Sequence, residues 1–125
     1  MVFRGRVVRG AGLGRTIGVP TANIQVSPRR QFPNGVFEVE VSGRKLRPPR
    51  RAVCNIGTRP TVDRSGKRRV EVHIPGFKGS LYGATLEVRL LRKLRGERRF
   101  ASLSALKRQI RRDIGRIRST PRAKA

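Results

Sequence analysis

Alternation of apolar and polar residues runs through most of this chain, and it gives way to a helical period only near the C-terminus. Val2 to Arg9 reads as a first strand with basic residues interleaved, delivering the chain into glycines at positions 10, 12 and 14. Ile24 to Val26 predicts a short second strand closed by Ser27-Pro28, and Pro33-Asn34-Gly35 predicts a turn. Val36 to Val41 alternates almost perfectly, which predicts a strand with Glu38 and Glu40 on its solvent face. Arg44 to Arg51, basic and interrupted by Pro48-Pro49, predicts an exposed loop. Ala52 to Gly57 predicts a buried strand, and Val70 to Ile74 another, in which Glu71 and His73 share a face. Ala84 to Leu91 predicts the last strand, with Leu86, Val88 and Leu90 on one side.

The period then changes. Ser102 predicts a helix N-cap, and Leu103, Leu106, Ile110, Ile114 and Ile117 fall on one helical face. Lys107, Arg108, Arg111, Arg112, Arg116 and Arg118 cover the rest of that helix, and residues 119–125 read as a disordered basic tail. Five or six short strands with turns between them and one terminal helix predict a mainly β fold, a small antiparallel barrel or curled sheet with the helix packed on its outside or across an end. A parallel sheet is disfavoured because no helices stand between the strands to serve as crossovers.

Composition narrows the class. The 125 residues fit one domain, and with 36% hydrophobic and 5% aromatic residues its core must come mainly from Val, Ile and Leu. A formal charge of +24 exceeds what solubility requires and points to polyanionic partners: nucleic acid, an anionic membrane surface or a nucleotide substrate. Cys54 is the one cysteine, which excludes an intramolecular disulfide and a cysteine-based zinc site and fits a reducing, cytoplasmic setting. No segment has the roughly 20 apolar residues needed to span a bilayer, and the first residues carry no run of signal-peptide length.

Candidate chemistry concentrates in Gly18-Val19-Pro20-Thr21-Ala22-Asn23. Thr21 and Asn23 stand two residues apart, so in an extended segment both point to one side and can reach a Mg²⁺ ion and the phosphate oxygens it holds. Amides of the preceding glycines could cradle those phosphates. By itself the stretch is a weak signal, since such residues more often form just a tight loop joining two strands. Glu71 likewise fits either a catalytic carboxylate or a solvent-facing strand residue, and Asn55 either an interior hydrogen-bonding residue or a site residue.

Several stretches in order resemble the riboflavin kinase family, the flavokinases of the bacterial and eukaryotic type. They are Gly-Arg-Thr-Ile-Gly-Val-Pro-Thr-Ala-Asn at 14–23, Asn-Gly-Val-Phe at 34–37, Asn-Ile-Gly-Thr-Arg-Pro-Thr at 55–61 and Val-Glu-Val-His-Ile at 70–74. Leu-Tyr-Gly at 81–83, Leu-Arg-Gly-Glu-Arg-Arg-Phe at 94–100 and Leu-Lys-Arg-Gln-Ile-Arg-Arg-Asp at 106–113 complete the set, which covers about the whole domain, 1–118. The resemblance implies a six-stranded antiparallel Greek-key β-barrel with a C-terminal α-helix. It also implies transfer of the ATP γ-phosphate to the ribityl 5′-hydroxyl of riboflavin, giving FMN, with Mg²⁺ as cofactor. Glu71 is then the catalytic base, Thr21 and Asn23 contact Mg²⁺ and the nucleotide phosphates, and Gly10, Arg15 and Tyr82 line the ATP side. Arg95, Arg98, Phe100, Ala105 and Arg108 match positions that bound the flavin.

Two features depart from the family pattern. Pro75 to Ser80 lacks the aspartates that many relatives carry there, and nothing in flavin phosphorylation calls for +24. The rival class is a nucleic-acid-binding barrel, for which 14 Lys and Arg against Glu97 and Asp113 between Arg89 and Lys124 provide a phosphate-tracking surface. One tyrosine and no tryptophan make its stacking platform thin. A third reading, a flavin-binding domain without catalysis, sits poorly with Thr21, Asn23 and Glu71 all being present. The expectation is a monomeric kinase that stops at FMN.

Overall fold

A computed structural model describes residues 1–9, 20–27, 30–57 and 69–117. Six strands are present among the described residues: β1 (Val2–Val8), β2 (Thr21–Gln25), β3 (Gly35–Gly43), β4 (Leu46–Gly57), β5 (Arg69–His73) and β6 (Thr85–Arg95). One helix, α1 (Leu103–Arg116), follows them. All strand pairs are antiparallel, and the order β1-β2-β5-β4-β3-β6 closes on itself through β1 and β6. Neighbours in this order are not always neighbours in sequence, as the Greek-key expectation requires.

The barrel interior takes one set of alternate residues from every strand, including Phe3, Val7, Ala22, Ile24, Phe37, Val39, Cys54, Ile56, Val70, Val72, Leu86 and Val88. Closure removes sheet edges, so a barrel this small can be filled by Val, Ile and Leu with few aromatics. Burial pushes the Cys54 thiol far up from its ordinary range, and the Glu71 carboxylate nearby adds to the effect, so Cys54 is an inert core residue. A second, smaller apolar cluster lies on the outside, where Val36, Val53 and Leu94 meet Ile114 and Ile117. Ser102 caps α1 as expected, its hydroxyl accepting from the Ala105 amide at 3.1 Å.

The outer face overturns several expectations. Glu38 is not on a solvent face: it is 4% exposed, held by Arg51 and Arg92 at 2.7 Å each. Leu103 is exposed, so the packed stripe of α1 begins later and includes the fully buried Asp113. Residues 46–51 are strand, not loop, because Leu46 is buried and Arg50 and Arg51 pair with Val41 and Glu40. The prolines fit there because the ladder skips from Leu46 to Arg50, leaving Pro48 and Pro49 without cross-strand partners in β3. β2 starts earlier than expected, at Thr21, and β6 runs on to Arg95. The expected basic tail, 119–125, lies outside the described residues.

Candidate active site

Strand register builds the site. Asn23 on β2 pairs with Glu71 on β5, and Glu71 pairs on its other side with Asn55 on β4. One row along, Thr21 pairs with His73, which pairs with Val53. Because residues i and i+2 of a strand share a face, Thr21, Asn23, Glu71, His73 and Asn55 all point outward from the barrel, opposite the interior Ala22, Val72 and Cys54. Glu71 is 2% exposed and His73 3%, while Thr21, Asn23 and Asn55 are half-buried. The Thr21 hydroxyl and His73 Nδ1 lie 2.9 Å apart, which fixes both side chains.

The resulting group is one carboxylate between two amides, with a hydroxyl and an imidazole in the adjacent row. Hydroxyl, amide and carboxylate oxygens are the donors a hard divalent cation takes, so Thr21 and Asn23 fit the Mg²⁺ role. Asn55, undecided from sequence, belongs to this group, and the signal that could have found it is its place two residues before the glycine that ends β4. That glycine, Gly57, is closely covered: a Cβ there would overlap the Glu97 carboxylate, which brings the segment after β6 against the end of β4.

The same row continues around the barrel, since Asn55 pairs with Val36 and Val36 with Arg95. Arg95 opens a second cluster. Its guanidinium donates to Asp113 through Nε (3.1 and 3.2 Å) and Nη2 (2.9 Å), and Nη1 donates to the Gly96 carbonyl at 3.1 Å. Gln109 donates to the same Asp113 carboxylate at 3.0 Å and accepts from Arg98 at 3.0 Å. The Phe100 ring lies between the two arginines, 5.8 Å from Arg95 Cζ and 5.5 Å from Arg98 Cζ. Arg95, Arg98 and Phe100 are thus brought together, with Ala105 and Arg108 on the adjoining first turns of α1. Asp113 and Gln109 were missed. A lone acid one position from Ile114, in a helix otherwise covered with arginines, was the available signal.

Tyr82 is 56% exposed on the turn before β6, its ring 5.4 Å from Arg9 Cζ, next to Val8, which pairs with Asn23. The segment Pro75 to Ser80, without aspartates, is anchored by Arg50, which donates to the Pro75 carbonyl at 2.8 Å and lies over the Phe77 ring. Gly10 and Arg15 lie outside the described residues. Among the described residues no group of three His, Cys, Asp or Glu could hold a metal, and no helix is long and apolar enough to cross a membrane.

A family model for flavokinases, described as riboflavin kinase, matches residues 1–120. The chain belongs to the riboflavin kinase family. It is 51% identical over 114 residues to the bifunctional riboflavin kinase/FMN adenylyltransferase of Escherichia coli (strain K12), covering 87% of this chain and 34% of that protein. The protein of the same name from Pseudomonas fluorescens is 46% identical over 117 residues, covering 92% and 36%. The chain therefore spans about a third of the length of these riboflavin kinase relatives. It is also 37% identical over 113 residues to the RNA-binding riboflavin kinase RibR of Bacillus subtilis, covering 90% and 48%. Riboflavin kinase from Trypanosoma brucei shares the fold with a TM-score of 0.62 at 27% identity, covering 91% of this chain and 74% of that one.

Proposed function

We propose that this chain is an ATP- and Mg²⁺-dependent riboflavin kinase that transfers the γ-phosphate of ATP to the ribityl 5′-hydroxyl of riboflavin, giving FMN and ADP. The observation that carries this reading is the buried Glu71 held in register between Asn23 and Asn55. Phosphoryl transfer passes through a loose transition state, so the protein contributes mainly alignment and neutralisation of charge on the transferring oxygens. Glu71 would accept the proton of the attacking hydroxyl, with Asn23 and Asn55 flanking it in register. Thr21, oriented by His73, and Asn23 would hold Mg²⁺ and the nucleotide phosphates. When bound, the ion supplies neutralising charge to the phosphate oxygens. On the far side of the row, Phe100 and Arg98 would meet the flavin, with Arg95 acting through its fixed position between Asp113 and the Phe100 ring. FMN formation from riboflavin and ATP by the purified chain tests the reading; since the family match fills residues 1–120, these residues should form no FAD from FMN and ATP.

A second reading concerns partners. Arg108, Arg111, Arg112 and Arg116 are exposed on α1, and with +24 overall we infer salt-dependent, nonspecific nucleic-acid binding alongside catalysis. The relative named as an RNA-binding riboflavin kinase supports testing it. Cytoplasmic location and a monomeric state belong to the same proposal.

A further inference from the structure

The outer face of the barrel carries a concavity away from the residues of the proposed kinase site. A cleft of about 690 Å³ is lined by Arg4, Arg44 and Arg47, by Ser42 and Thr85, and by Pro48 and Pro49, with Gly43 and Glu87 also at its wall. It lies at the opposite end of β3 from the Glu71 row: Ser42 pairs with Glu87 and Gly43 with Leu46, whereas Val36 pairs with Asn55 and Arg95. Its shape has a cause. A Cβ at Gly43 would come within 2.8 Å of the Thr85 carbonyl, so glycine lets the end of β3 press against β6.

The charges differ from those of α1. Glu87 is the one carboxylate in the cleft lining, and Arg4 meets it at 3.2 Å, leaving Arg44 and Arg47 as the exposed cations without a carboxylate in that lining. Cations on a convex helix point apart into solvent, whereas cations around the wall of a cleft, even an open one, act together on a group seated in it. Two guanidiniums suit phosphodiester oxygens, for which they offer paired donors in a planar fork. Hydroxyls of Ser42 and Thr85 can join them, and the proline wall gives a sugar or base an apolar surface.

We propose that this cleft is a backbone site for single-stranded nucleic acid, separate from the kinase site and able to be filled while riboflavin and ATP are bound. The proposal rests on the nucleic-acid reading above and assigns it a place. The test uses the full chain and a labelled single-stranded RNA of about 12 nucleotides, a length within the span such surfaces occupy. Anisotropy is measured over a range of salt for the native chain, the R44Q/R47Q variant and the R111Q/R112Q variant, with FMN formation followed in parallel. R44Q/R47Q should weaken binding about tenfold at low salt and lower the slope of log affinity against log salt by about 1.4, or 0.7 per phosphate on a single strand. It should leave FMN formation and the melting temperature unchanged, and R111Q/R112Q should weaken binding less.

An unchanged slope in R44Q/R47Q, or a larger loss in R111Q/R112Q, would overturn the assignment while leaving nucleic-acid binding in place. RNA that competes with riboflavin or ATP would also overturn it, because the two sites would then overlap. Phosphatidylserine vesicles that bind more tightly than RNA, and lose that binding in R44Q/R47Q, would mean a membrane site. No RNA binding by the native chain would remove this proposal and the nucleic-acid reading together, with the kinase reading untouched.

Discussion

Glu71 and Glu38 lie buried on the outer face of the same barrel, at 2% and 4% exposure, and both come from strands that alternate in sequence. Their neighbours differ in kind. Glu38 is gripped by Arg51 and Arg92, each at 2.7 Å, whereas the register partners of Glu71 are the amides Asn23 and Asn55. Burial raises the Glu38 carboxyl, but the hydrogen bonds and charges of Arg92 and Arg51 outweigh it and hold the pKa below its ordinary 4.5. A carboxylate so held is a poor proton acceptor and a good strut between β3, β4 and β6. Glu71 instead stands beside the row that brings Thr21 and His73 together, where a base and phosphate ligands would have to meet. Burial alone therefore does not separate the two glutamates; their places among the strands do, and the proposed function takes Glu71 as the base.

The largest effect that would sharpen this contrast is on turnover. Glu71→Gln keeps the size and part of the hydrogen bonding, so kcat for FMN formation should fall about 10² to 10⁴-fold with both KM values little changed. Glu38→Gln should leave kcat near normal. Equal losses in the two variants would break the distinction between base and strut.

Next in size is the Arg95–Asp113 pair, where Asp113 is fully buried and the Arg95 side chain 13% exposed. Breaking a buried pair by removing one partner costs about 3–5 kcal/mol, so Asp113→Ala should lower the melting temperature sharply. If Asp113 also sets the flavin side through Arg95, the milder Gln109→Ala should raise the riboflavin KM without changing that for ATP. Phe100→Ala should raise the riboflavin KM about tenfold, equivalent to roughly 1.4 kcal/mol, and the ATP KM less. Equal rises for both substrates would point to loosening of the whole segment after β6.

Much of this arrangement was legible in the sequence, and the rest was not for physical reasons. Alternation in Val36 to Val41 and Val70 to Ile74 established which residues share a face, and hence that Glu71 and His73 stand together. It could not establish which outer faces are covered. Arg51 and Arg92 from the two neighbouring strands close on Glu38, and that is why a glutamate read as solvent-facing is enclosed. Pro48-Pro49 gave a loop signal inside a strand because a ladder can skip three residues without ending. Arg95 and Asp113 are 18 positions apart, and no local period connects a strand end to the third turn of a helix. The family motifs located Thr21, Asn23 and Glu71, but only the register put Asn55 beside them.

The smallest effect is the pH dependence of the strut. The Glu38 pKa is lower folded than the ordinary 4.5, so the pair contributes stability that is fully present above about pH 4.5 and is lost as pH falls through the lower folded value. Arg92 and Arg51 have side chains 52% and 34% exposed, so solvent screens the pair and its contribution should be about 1 kcal/mol or less. Melting temperatures measured from pH 6 down to pH 3 should fall for the native chain, and the fall should be shallower in Glu38→Gln, with the two curves converging at the acid end. High salt should narrow the gap between them at pH 6. Parallel curves across the whole range would show that Glu38 has the same proton affinity folded and unfolded, and that the two arginines do no more than offset its burial.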